Sequence, residues 1–342
     1  MDTGSHLPYA ADLDIIQFCR ENDFHVRPHA FFRNMEKRWP FVLCELRDAT
    51  VLGRAFTPVC NNVLLSDCLS YFGPTQLKRL AQRSDDAPWR TGHVEKAFLL
   101  GGDRTFGHTI SAIVMRTLYL QLFDHLKELP VISMAGMPST CYEIFKIFGC
   151  PSERLILLQD DDALVCDELY VPTVTGGVPP EGDVWSIPGE LTRIYRDLIV
   201  GACGGPLPAE PSKAVYIVRG DTKTKLVLND IQVIAFLEGR GYEVVDPSSM
   251  TLAEQVRLAQ ETKFFVSSIG SQVHLADFAK PGAKILMFGR EDHVSQRVHS
   301  AVKRWKDLGI PLFTLLCEAD EDTNLTVDLG QLTNALDQLN FQ

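Results

Sequence analysis

From Tyr216 to Gly289 the chain repeats one pattern, a short apolar run followed by a helix-length amphipathic stretch. The apolar runs fall at 215–218, 243–245, 264–267 and 284–288. Runs of this length, bounded by helical segments, fit the strands of a parallel sheet joined by crossover helices. Two helix starts carry their own signals. Asn229 precedes Ile231, Ile234, Ala235 and Phe236 and is expected to cap a helix; Thr251 with Glu254 three residues on predicts a capping box ahead of Leu252, Val256 and Ala259. A sheet of this kind collects its ligand groups outside the carboxyl ends of its strands, where strand order reverses.

The loops at those ends are polar in a specific way. Arg219-Gly-Asp-Thr-Lys-Thr-Lys225 puts three cations and two hydroxyls into seven residues after the first run. Ser267-Ser-Ile-Gly-Ser271 follows the third run and opens a helix expected over 271–279, with Gln272 and His274 near its start. Gly289-Arg290-Glu-Asp-His293 follows the fourth. Free backbone N–H groups at a helix start favour an anion. A guanidinium holds two phosphate oxygens at once and stays charged, while a lysine adds a point charge. The loops together describe a crevice for a diphosphate. Its candidate binding residues are Arg219, Lys225, Asn229, Asp230, Gly270, Ser271, Gln272, His274 and Arg290, although Asn229 and Asp230 serve a helix cap equally well.

A second array of the same kind lies upstream. Ala97–Leu100 is expected as a buried strand, followed by a helix over 109–127 with Ile110, Val114, Leu118, Leu122 and Leu126 on one face. Further strands are expected at 131–134, 154–158 and 167–171, with a helix over 139–148. The fold class is therefore α/β, with two Rossmann-like domains facing a cleft. The boundaries read as 1–171 for the first domain and 172–212 for a Pro/Gly-rich linker holding one short helix. The second domain covers 213–320, and a terminal helix covers 321–342. His108 sits between the first buried strand and its helix. It is a candidate general base, since an unperturbed imidazole titrates at ~6.5, and equally a capping or core histidine. Asp103 is the second candidate at that place. Asp160-Asp-Asp162, between two strand patterns, reads as a solvated turn rather than a metal-binding motif. Residues 11–95 give a strand over 41–48 and a helix within 60–83, and no chemistry.

The formal net charge of −11 argues against general nucleic-acid binding. Nine cysteines, odd in number and without a CxxC pair, suit reduced thiols better than a disulfide frame. No leader pattern and no apolar run near the ~20 residues of a membrane span are visible, so the expected place is the cytoplasm. No GxGxxG follows a strand with an acidic residue in range, which disfavours a dinucleotide-dependent oxidoreductase.

The order Arg219-x(5)-Lys225-x(3)-Asn229-Asp230, then Glu254-Gln255 ahead of a strand, then Gly270-Ser271, Phe278 and Pro281-Gly282, resembles the C-terminal half of glycosyltransferase family 61. The resemblance implies the two-domain GT-B architecture and an inverting, metal-independent transfer without a cofactor. A nucleotide sugar would be the donor and a glycan or glycoside hydroxyl the acceptor. It also implies a terminal helix packing back on the first domain, and it matches Phe106-Gly-His108 to a turn that ends in histidine. At Ala112, Ile269, Leu275 and Met287 the chain carries apolar residues where the family pattern is polar, which leaves open a binding protein without turnover. The apolar helix faces serve a core or a homo-oligomer equally.

Overall fold

The computed structural model describes residues 26–28, 42–53, 56–60, 63–64, 89–172, 189–204, 210–219, 226–290 and 299–340. The chain divides into two compact units, Met1–Trp185 and Ser186–Gln342. Both are mixed α/β. The helix expected within 60–83 and most of the 172–212 linker lie outside the described residues.

In the first unit the strands are β1 (Val26–Pro28), β2 (Val42–Leu52), β3 (Thr57–Cys60), β4 (Val63–Leu64), β5 (Arg90–Gly101), β6 (Val131–Met134), β7 (Leu155–Leu158) and β8 (Asp162–Pro172). They pair in the order β4-β3-β2-β8-β5-β6-β7, with β1 also on β2. β5, β6 and β7 run parallel, joined by a helical run over 106–122 (α1) and by α2 (Ser139–Ile147), as the βα pattern predicts. The rest departs from that pattern. β8 starts after a three-residue turn with no helix, lies parallel to β5, and carries antiparallel β2 on its other edge. The sheet is therefore mixed.

Burial divides β5: Ala97 to Leu100 are fully buried beneath the helices, whereas most of residues 90–96 are exposed. The exposed segment 90–96 pairs with the parallel strand β8, and the antiparallel strand β2 follows beyond β8. Asp160 and Asp161 lie in the turn before β8, and Asp162 opens the strand. Asp162 accepts from the Gln159 amide at 2.6 Å and pairs with Arg90, while Asp160 pairs with Arg104 at 2.9 Å.

Every apolar run read between Tyr216 and Gly289 is a strand of the second unit. After α3 (Gly189–Ala202) come β9 (Lys213–Ile217), α4 (Asp230–Glu238), β10 (Glu243–Val245), α5 (Leu252–Glu261) and β11 (Thr262–Ser268). A 3-10 segment, Ser271–Phe278, precedes β12 (Lys284–Gly289), α6 (His299–Asp307) and β13 (Leu312–Leu316). The small hairpin of β14 (Glu318–Ala319) and β15 (Leu325–Thr326) leads to α7 (Leu329–Gln338). The five main strands are all parallel, in the order β10-β9-β11-β12-β13. Successive side chains alternate between faces, yet Phe264 and Val266 on one side and Phe265, Ile285 and Met287 on the other are all buried. Cover on both faces explains why these strands read as continuous apolar runs rather than as alternation.

One face packs on α4 and α7. Val233, Leu237, Leu332 and Leu336 share a core with Tyr216, Phe264, Leu286 and Phe288. The buried residues of the terminal helix, Leu332 and Leu336, belong to the core of the second unit. The capping box forms as read, with Thr251 Oγ1 accepting from the Glu254 amide and Glu254 accepting from the Thr251 amide at 2.8 Å. Asn229 stands at the cap position of α4 but does not cap it with its side chain. Its amide group donates to Val327 O at 2.8 Å and accepts from Val327 N at 3.0 Å. The side chain thus clamps the segment before α7 instead of the helix start. Among the described residues no helix is long and apolar enough to cross a membrane.

Candidate active site

Strand order in the second sheet reverses between β9 and β11. The chain crosses from β9 outward to β10, then returns past β9 to β11 and continues the other way. Open sheets of this topology bind their ligands outside the carboxyl ends of the strands at such a point. Arg219 stands two residues after β9, Gly270 and Ser271 directly follow β11, and Arg290 follows β12, so three neighbouring strands deliver these groups to one sheet edge. Lys225 lies outside the described residues.

The first two loops are in contact. Arg219 donates from Nη1 to Ile269 O at 3.1 Å, and its guanidinium lies over Gly270. A Cβ at position 270 would sit 2.6 Å from Arg219 Nη1 and 2.3 Å from Gln272 Oε1. The glycine is thus required by the close approach of the arginine, since its extended backbone needs no special freedom. Gln272 folds back on the strand end, donating to Ser268 O at 2.7 Å and to Ser267 Oγ at 3.1 Å. Burial lowers the Arg219 pKa from its ordinary value, which marks a cation held partly out of water beside Gly270. Gly270→Ala is expected to push the guanidinium off its seat. Both atoms met are the ends of flexible side chains that can shift, so the fold should be little affected, and a calorimetric titration would read weaker binding of whatever anion the site takes. Unchanged binding would show that the seat does not matter.

Asp230 accepts from the Tyr216 hydroxyl at 2.6 Å, which ties the start of α4 to β9. That contact and the clamp made by Asn229 give both residues a structural duty. His274 lies in the 3-10 segment, with Nδ1 3.2 Å from Asp277 Oδ2 and 2.6 Å from Arg304 Nη2. Asp277 also accepts from Trp305 Nε1 at 2.6 Å and pairs with Arg304 at 3.0 Å. Burial pushes the Asp277 carboxyl up, but Arg304, His274 and Trp305 outweigh it and hold the group below the usual carboxylate range. The Asp277–Arg304–Trp305 cluster escaped the sequence reading. Only the three-residue spacing from His274 to Asp277 hinted at it.

The first unit brings its two candidates together at the carboxyl end of β5. His108 Nδ1 lies 3.3 Å from Asp103 Oδ1. Asp103 is buried, and its carboxylate accepts from the Thr105 amide at 2.7 Å while its carbonyl accepts from Thr109 Oγ1 at 2.7 Å. The residue is therefore fixed on both sides before the histidine is considered. Burial pushes the Asp103 carboxyl up, but the bonds from His108 and Thr105 outweigh it and leave the group below its ordinary value. The loop folds this way because Gly101 takes a left-handed conformation (φ 83°) and because a Cβ on Gly102 would meet Met134 Cβ at 2.3 Å. A half-exposed imidazole backed by a buried carboxylate is an arrangement that can take a proton from a hydroxyl.

Other chemistry finds little support. Burial pushes the thiols of Cys141, Cys150 and Cys166 up to about 12, so none is a thiolate near neutral pH. Among the described residues no group of three or more His, Cys, Asp or Glu side chains is placed to hold a metal ion.

Comparison with known proteins bears on both clusters. A family model described as Glycosyltransferase 61 matches residues 106–286, more than half of the chain. The match starts at the turn that carries His108 and ends in β12, so it includes Arg219, Gly270 and Ser271 and leaves out Asp103 and Arg290. No curated protein matches the chain.

Proposed function

Because the chain belongs to the glycosyltransferase 61 family, we propose that it transfers a sugar from a nucleotide-sugar donor to a hydroxyl of a glycan or glycoside acceptor, with inversion and without a bound metal. The GT-B architecture, with two Rossmann-like domains, belongs to this reading. The second unit binds the nucleotide sugar and the first binds the acceptor. The observation that supports it is the seat of Arg219 on Gly270 at the reversal point of a parallel sheet, a cation placed where a diphosphate is bound in sheets of this topology.

The residues divide the work as follows. The acceptor oxygen attacks the anomeric carbon from the face opposite the diphosphate, and the new C–O bond forms as the bond to the phosphate oxygen breaks. The acceptor proton passes to Nε2 of His108, whose Nδ1 faces Asp103. The electron pair leaves on the diphosphate, and Arg219 meets that charge with Arg290 in the neighbouring loop. Ser271 and the amides after Gly270 add hydrogen bonds to the same oxygens.

A nucleotide-binding protein without turnover is the second reading. It is favoured by Leu275 and Met287, which lie buried in the fold at positions that the family pattern fills with polar groups. One assay separates the two. The protein is incubated with a panel of nucleotide sugars and oligosaccharide acceptors, and released nucleoside diphosphate and the anomeric configuration of the product are read, with and without EDTA. EDTA-insensitive release with an inverted product supports transfer. Binding of the donor with no release supports the second reading, and a retained configuration overturns the displacement written above.

A further inference from the structure

We propose that Gln272 is a positioning residue for Arg219, acting on the diphosphate through the arginine rather than touching the nucleotide itself; this rests on the reading that the ends of β9 and β11 take a nucleoside diphosphate. The sequence places Gln272 among the candidate binding residues, but its amide hydrogens are already engaged. Nε2 lies 2.7 Å from Ser268 O, 3.1 Å from Ser267 Oγ and 3.2 Å from Ser268 Oγ. An amide has two N–H donors, and the end of β11 takes both.

Which end of the amide is which follows from its partners. Ser268 O is a carbonyl and only accepts, so the atom 2.7 Å from it is the NH2 group. The Ser267 hydroxyl turns its one hydrogen to backbone carbonyls, with Ile217 O and Ser268 O each at 3.1 Å, and offers a lone pair to the same NH2. Oε1 is then the other end, and it stands over Gly270. A Cβ on that glycine would meet Oε1 at 2.3 Å. The same point lies 2.6 Å from Arg219 Nη1 and 3.0 Å from Arg219 Cζ. The carbonyl of the amide and the guanidinium thus share the space above one glycine. A guanidinium has only donors and Oε1 only lone pairs, so this dipole attracts the arginine and would repel a phosphate oxygen.

Arg219 already holds Ile269 O at 3.1 Å, and Gln272 adds a second electronegative atom to the seat. Gln272 is itself tied through Ser267 to Ile217, the last residue of β9, two residues before Arg219. The side chain therefore links the end of β11 to the strand from which the arginine departs. An arginine left loose must surrender its rotamers when the anion binds, and one seated beforehand does not.

Titration calorimetry of the full chain with UDP, GDP, CDP and TDP tests the inference on wild type, Gln272→Met, Arg219→Ala and the double variant. Nitrogen NMR of the arginine side chains, without nucleotide, accompanies it. Methionine keeps the length of the side chain and removes both ends of the amide. Gln272→Met should weaken the nucleotide that binds about fivefold, the scale of one net hydrogen bond. It should add nothing in the Arg219→Ala background, where a residue that acts through the arginine has nothing left to act on. In the nucleotide-free protein the Arg219 guanidinium nitrogens should give separate signals in the wild type and averaged ones in Gln272→Met. Wild-type affinity in Gln272→Met overturns the proposal. So does an equal loss in both backgrounds, the result expected of a direct contact or of a general disturbance of the loop. If the wild type binds none of the four nucleotides, the diphosphate reading fails, and the arginine signals alone decide whether Gln272 holds Arg219. If the wild type binds and Gln272→Met changes neither readout, this inference alone falls.

Discussion

Replacing His108 with asparagine is expected to lower turnover by about 10²–10⁴-fold, the usual contribution of a positioned general base, and to leave nucleotide affinity unchanged. The separation follows from where the residues sit. His108 and Asp103 close the β5 loop of the first unit, whereas Arg219, Gly270 and Ser271 belong to the second. On the proposed mechanism, loss of the imidazole removes the group assigned to the acceptor proton and leaves Arg219 and Gly270 unchanged. Asp103→Asn should lower turnover in the same direction. An amide in place of the carboxylate no longer stabilises the imidazolium formed when His108 takes its proton, nor fixes which ring nitrogen carries the hydrogen. Steady-state kinetics with donor and acceptor varied separately would show the fall in kcat. Variants of His108 that keep wild-type turnover would move the base elsewhere in the chain.

The second large effect is on stability. Asp277→Ala leaves the buried Arg304 guanidinium without its carboxylate and removes the acceptor of Trp305 Nε1. Breaking one side of a buried pair costs about 3–5 kcal/mol, much of it from the charge left behind. Urea denaturation should show that loss, and replacing Arg304 by methionine in the same background should recover part of it, because the stranded charge is then gone.

The pH dependence has a definite sign. The folded-state pKa of Asp277 lies below its unfolded value of ~3.9, so its stabilisation is complete above that value and is lost as pH falls through the folded pKa. Asp103 shifts in the same direction. The stability gap between wild type and Asp277→Ala should therefore be constant from neutral pH down to mildly acidic conditions and narrow only below pH ~4. A gap that closed near neutrality would mean that the carboxylate is not held in its charged form.

The second sheet was legible because its strands are buried on both faces and its helices begin with recognisable signals. Phe264 to Ser267 and Ile285 to Phe288 could be read as strands without any partner in view. The first sheet was only half legible. β8 pairs with β5 and β2 through contacts far apart in sequence, and nothing local to Asp162–Pro172 states that it follows β7 without a crossover helix. Asn229 shows the limit of a cap signal, because a residue that suits a helix start also suits a clamp, and only the position of Val327 decides between them. The placement of the polar loops after β9, β11 and β12 at one sheet edge could be read from the order of strands and loops. The support behind them could not. Asp277, Arg304 and Trp305 are ordinary letters in two different helical segments, and their meaning comes from meeting at one buried point.

The proposed seat of the nucleoside diphosphate is the reversal point of the second sheet, with Arg219 as its anchor. Isothermal titration of the full chain with UDP, GDP, CDP and TDP, in EDTA, on wild type and Arg219→Ala, tests it most directly. One of the four is expected to bind the wild type without metal. Arg219→Ala is expected to weaken this binding by roughly 1.5–3 kcal/mol, the worth of hydrogen bonds to a charged group. Binding by the arginine variant as tight as that of the wild type, or a wild type silent toward all four, would contradict it.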